Sequence, residues 1–188
     1  MPMRDERKFI HVVDGEDRII AVNPAWSEFA DENASPALAA AVIGRPLWEH
    51  ICDSDTLHLY QVLLERARKG TRPARVPFRC DSPALRRFMV MELVLQEDGL
   101  VRFTSWVDRQ EARPFMALLD PAQARDEALL KMCGWCKKIE SADDEWLEVE
   151  TAVARLGLFD AVTVPRLTHT MCQACYARLY EDDAGEPS

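Results

Sequence analysis

Residues 14–30 read DGEDRIIAVNPAWSEFA, and this stretch sets the fold of what surrounds it. DGED (14–17) is turn-forming, and RIIAVN (18–23) is rich in strand-favouring residues. Asn23 then offers a side-chain oxygen to cap a helix. Pro24 suits the first helical position, where no backbone donor is needed. Trp26, Phe29 and Ala30 fall on one face of that helix. Upstream, KFIHVVD (8–14) reads as a first strand, so the chain opens as strand, turn, strand, helix.

Working outward, NASPA (33–37) is a loop and GRPLWEHI (44–51) enters a short helix. DSDTLHLYQVLLERARKG (53–70) is the clearest helix. Leu57, Tyr60, Leu64 and Ala67 follow helical spacing, Asp53 or Ser54 can cap it, and Gly70 can end it. Three strands follow: PARVPFRC (73–80), RRFMVMELVLQ (86–96) and LVRFTSWVD (100–108), the last two joined by EDG. Their imperfect alternation expects burial on both faces of at least one. This order predicts an α+β domain, a single antiparallel sheet with helices on one side.

That order resembles the PAS domain family over residues 8–108, carried by DGEDRIIAVNPAWSEFA, GRPLWEHI, the helix ending in RKG, and PFRCDSPALRRFMVMEL (77–93). The resemblance implies a sensing or docking domain. It also implies a small-molecule pocket between sheet and helices, with an unidentified ligand, and pairing into a homodimer.

Composition bounds the rest. The chain has 188 residues and a formal net charge of −9, which argues against a nucleic-acid partner bound through a basic face. RARKGTRPAR (66–75) is locally basic and reads as a solvated helix end and loop. The apolar run ALAAAVI (37–43) is far shorter than the ~20 residues a membrane helix needs, so no membrane association is expected. No apolar leader follows the charged N-terminus, and the expected location is cytoplasmic, where thiols stay reduced.

Residues 109–128 read as a linker that becomes helical after Pro121. Residues 129–183 read as a small, mostly helical module with few large apolar side chains. This module holds KMCGWCKKIE (131–140) and THTMCQACYARLY (168–180). Cys133 and Cys136, with Cys172 and Cys175, make two C-x2-C pairs, the spacing of a tetrahedral four-thiolate zinc site. Gly134 eases the first turn, Lys137 and Lys138 offset thiolate charge, and the second pair opens an amphipathic helix. In outline this is treble-clef-like, although the 35-residue gap between pairs exceeds that of compact fingers. An iron–sulfur cluster is the alternative occupant, and a reversible dithiol pair the alternative chemistry. His169 is an alternative ligand, read first as a residue outside the coordination sphere. The stretch also resembles a module at the C-terminus of some bacterial PAS and response-regulator proteins. There C-x-W-C-K, a Trp and H-x-x-C-x-x-C correspond to Cys133, Trp135, Cys136, Lys137, Trp146, His169, Cys172 and Cys175.

Cys52 and Cys80 read as small apolar residues. His50 and His58 read as ordinary surface or core residues; some PAS domains hold a haem ligand at the latter's helix. No phosphate-binding glycine loop and no G-x-S-x-G elbow occurs, so no catalytic residue and no enzyme activity is expected. The expected protein is a bacterial signalling sensor. It is built from a PAS-like domain and a zinc-stabilised module, with an unknown protein partner. A thiol redox switch and a small-molecule-binding protein are the alternatives.

Overall fold

In a computed structural model of the chain, which describes residues 6–33, 38–51, 53–70, 73–159 and 161–181, Asn23 turns strand into helix. Its Oδ1 accepts the N–H of Trp26 at 3.0 Å, capping helix α1 (Pro24–Glu32). The same side chain accepts the N–H of Ile10 at 3.0 Å, and its amide donates to the Lys8 carbonyl at 2.8 Å. Asn23 thus pins α1 to strand β1 (Lys8–Val13) as well as starting it. Asn23→Ala is expected to cost about 1–2 kcal/mol, the upper range for a cap, because two cross-strand bonds go with it. Urea unfolding of the two proteins checks this.

β1 pairs antiparallel with β2 (Ile19–Val22), and Asp14 Oδ1 holds the turn between them by accepting from Glu16 N and Arg18 N. Helix α2 (Leu38–Val42) and a 3-10 turn over Leu47–His50 lead to α3 (Ser54–Lys69). Asp53 caps α3 through Thr56 N. Strands β3 (Ala74–Arg79), β4 (Leu85–Leu95) and β5 (Val101–Ala112) complete a five-stranded sheet ordered β2-β1-β5-β4-β3. The expected antiparallel pairing holds for β1 with β2 and with β5. Phe9, Val13, Met91, Leu93, Val101 and Phe103 of the sheet are buried, as are Leu59, Leu63 and Leu64 of α3. Phe103 and its neighbour Thr104 are both buried, so β5 is covered on both faces there.

Of the basic segment, residues 71 and 72 lie outside the described residues, and the others include paired arginines and a paired lysine. Arg68 bonds Asp17 at 2.6 Å, Lys69 pairs with Glu65, and Arg75 pairs with Glu92 and lies over the Trp106 ring. His50 and His58 are exposed. Cys52, and residues 182–183 at the end of the expected module, lie outside the described residues. Among the described residues no helix is long and apolar enough to cross a membrane.

His11 faces Phe103 across the β1–β5 ladder, the rings stacked with centroids 4.4 Å apart. Its Nε2 is buried without a hydrogen-bond partner, and burial pushes its pKa from 6.5 down to about 4. Between those values an unfolded chain takes up a proton that the folded one refuses. Stability is therefore expected to fall as pH drops through this window, by at most ~1.4 kcal/mol per pH unit. His11→Phe should flatten that slope; equal slopes from urea midpoints across the window would refute it.

The chain divides into two compact units: residues up to Phe78 with Phe88–Gln110, and Arg79–Arg87 with the residues from Glu111 on. Two expectations are corrected here. Residues 79–87 belong to the second unit, because Arg79 and Asp81 bond Trp135, Glu148 and Arg113. Residues 109–128 are not a linker that turns helical. β5 runs to Ala112, Met116 and Leu118 are buried in the second unit's core, and the chain enters strand β6 at Arg125 (Arg125–Cys133). The run is rich in helix formers, and pairing with a distant strand overrides that local preference.

The second unit also carries more sheet than expected. Its four strands are ordered β8-β7-β6-β9, with β7 Ile139–Glu140, β8 Trp146–Leu147 and β9 Val164–Thr170. Helices α4 (Val149–Arg155) and α5 (Gln173–Glu181) accompany them. Met116, Leu118, Met132, Ile139, Val149, Ala152, Val153 and Val164 form its core. Met116 and Leu118 lie two residues apart and Val149, Ala152 and Val153 recur at helical spacing, so medium-sized side chains build a core in a module with few large apolar ones.

Candidate metal centre

β6 and β9 run parallel, with Met132 opposite His169 and Cys133 opposite Thr170. Each C-x2-C pair sits at the C-terminal end of one of these strands, so parallel pairing brings the pairs together. A parallel pair needs a long crossover. Here β7, β8 and α4 supply it, which accounts for the 35 residues between the pairs.

The first pair lies in a tight turn. Cys133 N donates to Lys138 O at 2.8 Å, Lys137 N to Cys133 O at 3.0 Å, and Gly134 N to Thr170 O at 2.8 Å. The left-handed position is Lys137 (φ 61°), not the glycine. The Lys137 ammonium folds back onto the Gly134 carbonyl at 2.7 Å. It therefore also braces the turn. The second pair opens α5. Cys172 acts as the cap: its carbonyl accepts from Cys175 N and Tyr176 N, and its sulfur from Cys175 N at 3.4 Å.

The four sulfurs lie within 4.8 Å of one another, and the Cys136 and Cys172 sulfurs are 3.7 Å apart. Sulfurs ~2.3 Å from a central zinc form a tetrahedron with edges of about 3.8 Å. These four side chains can hold a metal ion. His169, exposed on β9, is not among the grouped ligand atoms. Backbone N–H groups of Cys136 and Cys172 point at the Cys133 sulfur, at 3.5 and 3.4 Å. The Arg178 guanidinium lies 4.0 Å from the Cys175 sulfur.

The thiols do not ionise independently. Bonds from the Cys136 and Cys175 thiols and from backbone N–H groups hold the Cys133 thiol far below its ordinary range. Donation to Cys133 pushes Cys136 up to about 12, and Cys175 is pushed up by Cys133 and Cys136. One negative charge is easily held, and further ones need a cation among them.

A buried ionic network lies next in the same unit. Arg79 N donates to Trp135 O at 2.9 Å, tying β3's last residue to the cysteine turn, where Trp135 is buried. The Arg79 guanidinium bonds Glu148 at 2.7 Å and pairs with Asp81. Asp81, 1% exposed, also accepts from Arg113 at 3.2 Å and from Arg87 N. Arg113 and Arg86 both meet Glu150, at 3.2 and 3.0 Å. Burial raises the Glu150 carboxyl, but its own backbone N–H and these arginines outweigh that and leave it below the usual range. Burial likewise pushes the neighbouring Cys80 thiol up, which suits a small apolar role. Sequence reading missed this network, since nothing local links Arg79 to Glu148. Arg178, one helical turn beyond Cys175, was legible from its i+3 spacing.

No protein-family model matches the chain, and no curated relative does. Among solved structures it is similar to a domain of an HTR-like protein from Haloarcula marismortui, at 13% identity and TM-score 0.39, over 54% of this chain and 97% of that one. It is also similar to the PAS domain of nitrogen regulation protein NR(II) from Vibrio parahaemolyticus, at 13% identity and TM-score 0.32, over 58% and 93%.

Proposed function

We propose that this chain is a non-catalytic signalling protein whose first unit senses a ligand or docks a partner and whose second unit is held by zinc in a four-cysteine centre. The observation that carries the metal reading is the cluster of Cys133, Cys136, Cys172 and Cys175 sulfurs within 4.8 Å of one another. Thiolates at tetrahedral spacing, with backbone N–H groups aimed at their sulfurs, favour zinc. The sensing half is supported by the resemblance of residues 8–108 to the PAS family. Output passes through protein contacts, with pairing of the first unit into a homodimer. Elemental analysis of the full chain purified without added metal tests the centre. One zinc per chain is expected; iron with labile sulfide would replace zinc by a cluster, and a folded chain that takes up neither would refute the reading.

His11 supports a second reading for the first unit, a small organic ligand as input. Its buried Nε2 lacks a hydrogen-bond partner and its ring is stacked on Phe103. Native mass spectrometry of the full chain should then reveal an organic mass that His11→Phe reduces.

A further inference from the structure

Cys133, Cys172 and Cys175 are buried, whereas Cys136 is half-buried. Of the four, Cys136 is the residue that keeps contact with solvent, so the shortest route for a small oxidant runs through it. Its Sγ stands 3.7 Å from that of Cys172. The Cys133 sulfur is wholly buried and accepts two backbone N–H bonds, which draw charge from it and blunt it as a competing nucleophile. We propose that the centre responds to hydrogen peroxide, with Cys136 as the sulfur oxidised and Cys172 as the sulfur that resolves it, so that a Cys136–Cys172 disulfide forms and the metal is released. The inference rests on the metal-centre reading above.

The step balances. In the metal-loaded centre all four sulfurs have lost their protons; the Cys136 thiolate attacks one peroxide oxygen, the O–O bond breaks, and the departing hydroxide takes a proton to become water. Cys136 is then a sulfenic acid. The Cys172 thiolate attacks the Cys136 sulfur, the S–O bond breaks, and a second hydroxide leaves as water. Two thiolates, one hydrogen peroxide and two protons give one disulfide and two waters. The sulfurs lose two electrons to the peroxide oxygens, and zinc stays divalent. Cys133 and Cys175 alone are too few to retain it. The new bond joins the cysteine turn after β6 to the start of α5, and a dithiol reductant reverses it.

The test uses the full metal-loaded chain. Metal content is measured first; a chain that holds no metal overturns the centre itself, separately from its oxidation. The loaded chain is exposed to hydrogen peroxide with a chromogenic chelator present, quenched by alkylation and mapped by peptide mass spectrometry. Release of the bound ion in step with a Cys136–Cys172 link is expected. A first link between Cys133 and Cys136 or between Cys172 and Cys175, release without a disulfide, or retention of the metal overturns the proposal. Cys136→His, which keeps a ligand but removes the oxidisable sulfur, should slow release about tenfold or more. Unchanged release from a folded, metal-bearing variant also overturns it, and the wild-type map decides if the variant does not fold.

Discussion

Cys133→Ser is expected to abolish stable metal binding and to loosen the turn at 133–138 together with the start of α5. The sulfur removed is the best placed of the four: it ends β6, is wholly buried, and accepts the N–H groups of both Cys136 and Cys172. Structural zinc in small fingers contributes about 10–16 kcal/mol of apparent binding free energy, so losing one of four thiolates removes several kcal/mol. The unit should not collapse entirely, because Met132, Ile139, Val149 and Val153 form a core of their own. Metal content should drop from one ion per chain to near none. Hydrogen exchange should rise at the turn and at α5 while the β6–β9 ladder stays protected. A chelator should reproduce this in the wild type and leave the variant unchanged. Acid should act the same way. Cys136 and Cys175 hold their protons well above neutrality, so binding displaces them, and affinity falls by about tenfold per pH unit for each proton displaced. A serine variant with unaltered metal content and exchange would refute the centre.

Asp81→Asn is expected to cost about 3–5 kcal/mol, because it leaves two buried guanidiniums short of a charge. Arg79 and Arg113 are 7% and 4% exposed at their side chains, and both are paired with Asp81. The loss should exceed that of Glu148→Gln. Glu148 is 35% exposed, so solvent screens its charge and offsets its removal. Urea unfolding of the three proteins decides the order. The Asp81 variant should also weaken metal binding, since Arg79 anchors the Trp135 carbonyl inside the cysteine turn. A cost below that of the Glu148 variant would mean that the network contributes little.

Much of the first unit was legible because its signals are local. Asn23 and Pro24 announce a helix start, Asp53 another, and runs of strand-favouring residues mark β1, β4 and β5; each is a preference expressed over a few residues. The second unit was read less well for the opposite reason. RDEALLKMC looks helical by composition, and pairing with β9 on one side and β7 on the other makes it a strand. Gly134 reads as the residue that eases the turn, yet the backbone gives the positive φ to Lys137.

By itself the sequence determined the residue types and spacing of the four cysteines, the α+β character and the order of the first unit's elements. Tertiary structure alone decided how the two cysteine pairs meet. Parallel strands separated by a crossover place their ends together, and no local pattern encodes that. It alone also decided that Arg79, Asp81, Arg113 and Glu150 share one buried network, because charges far apart in sequence interact through space once water is removed. The half-buried Cys136 among three buried partners is likewise a property of packing rather than of spacing.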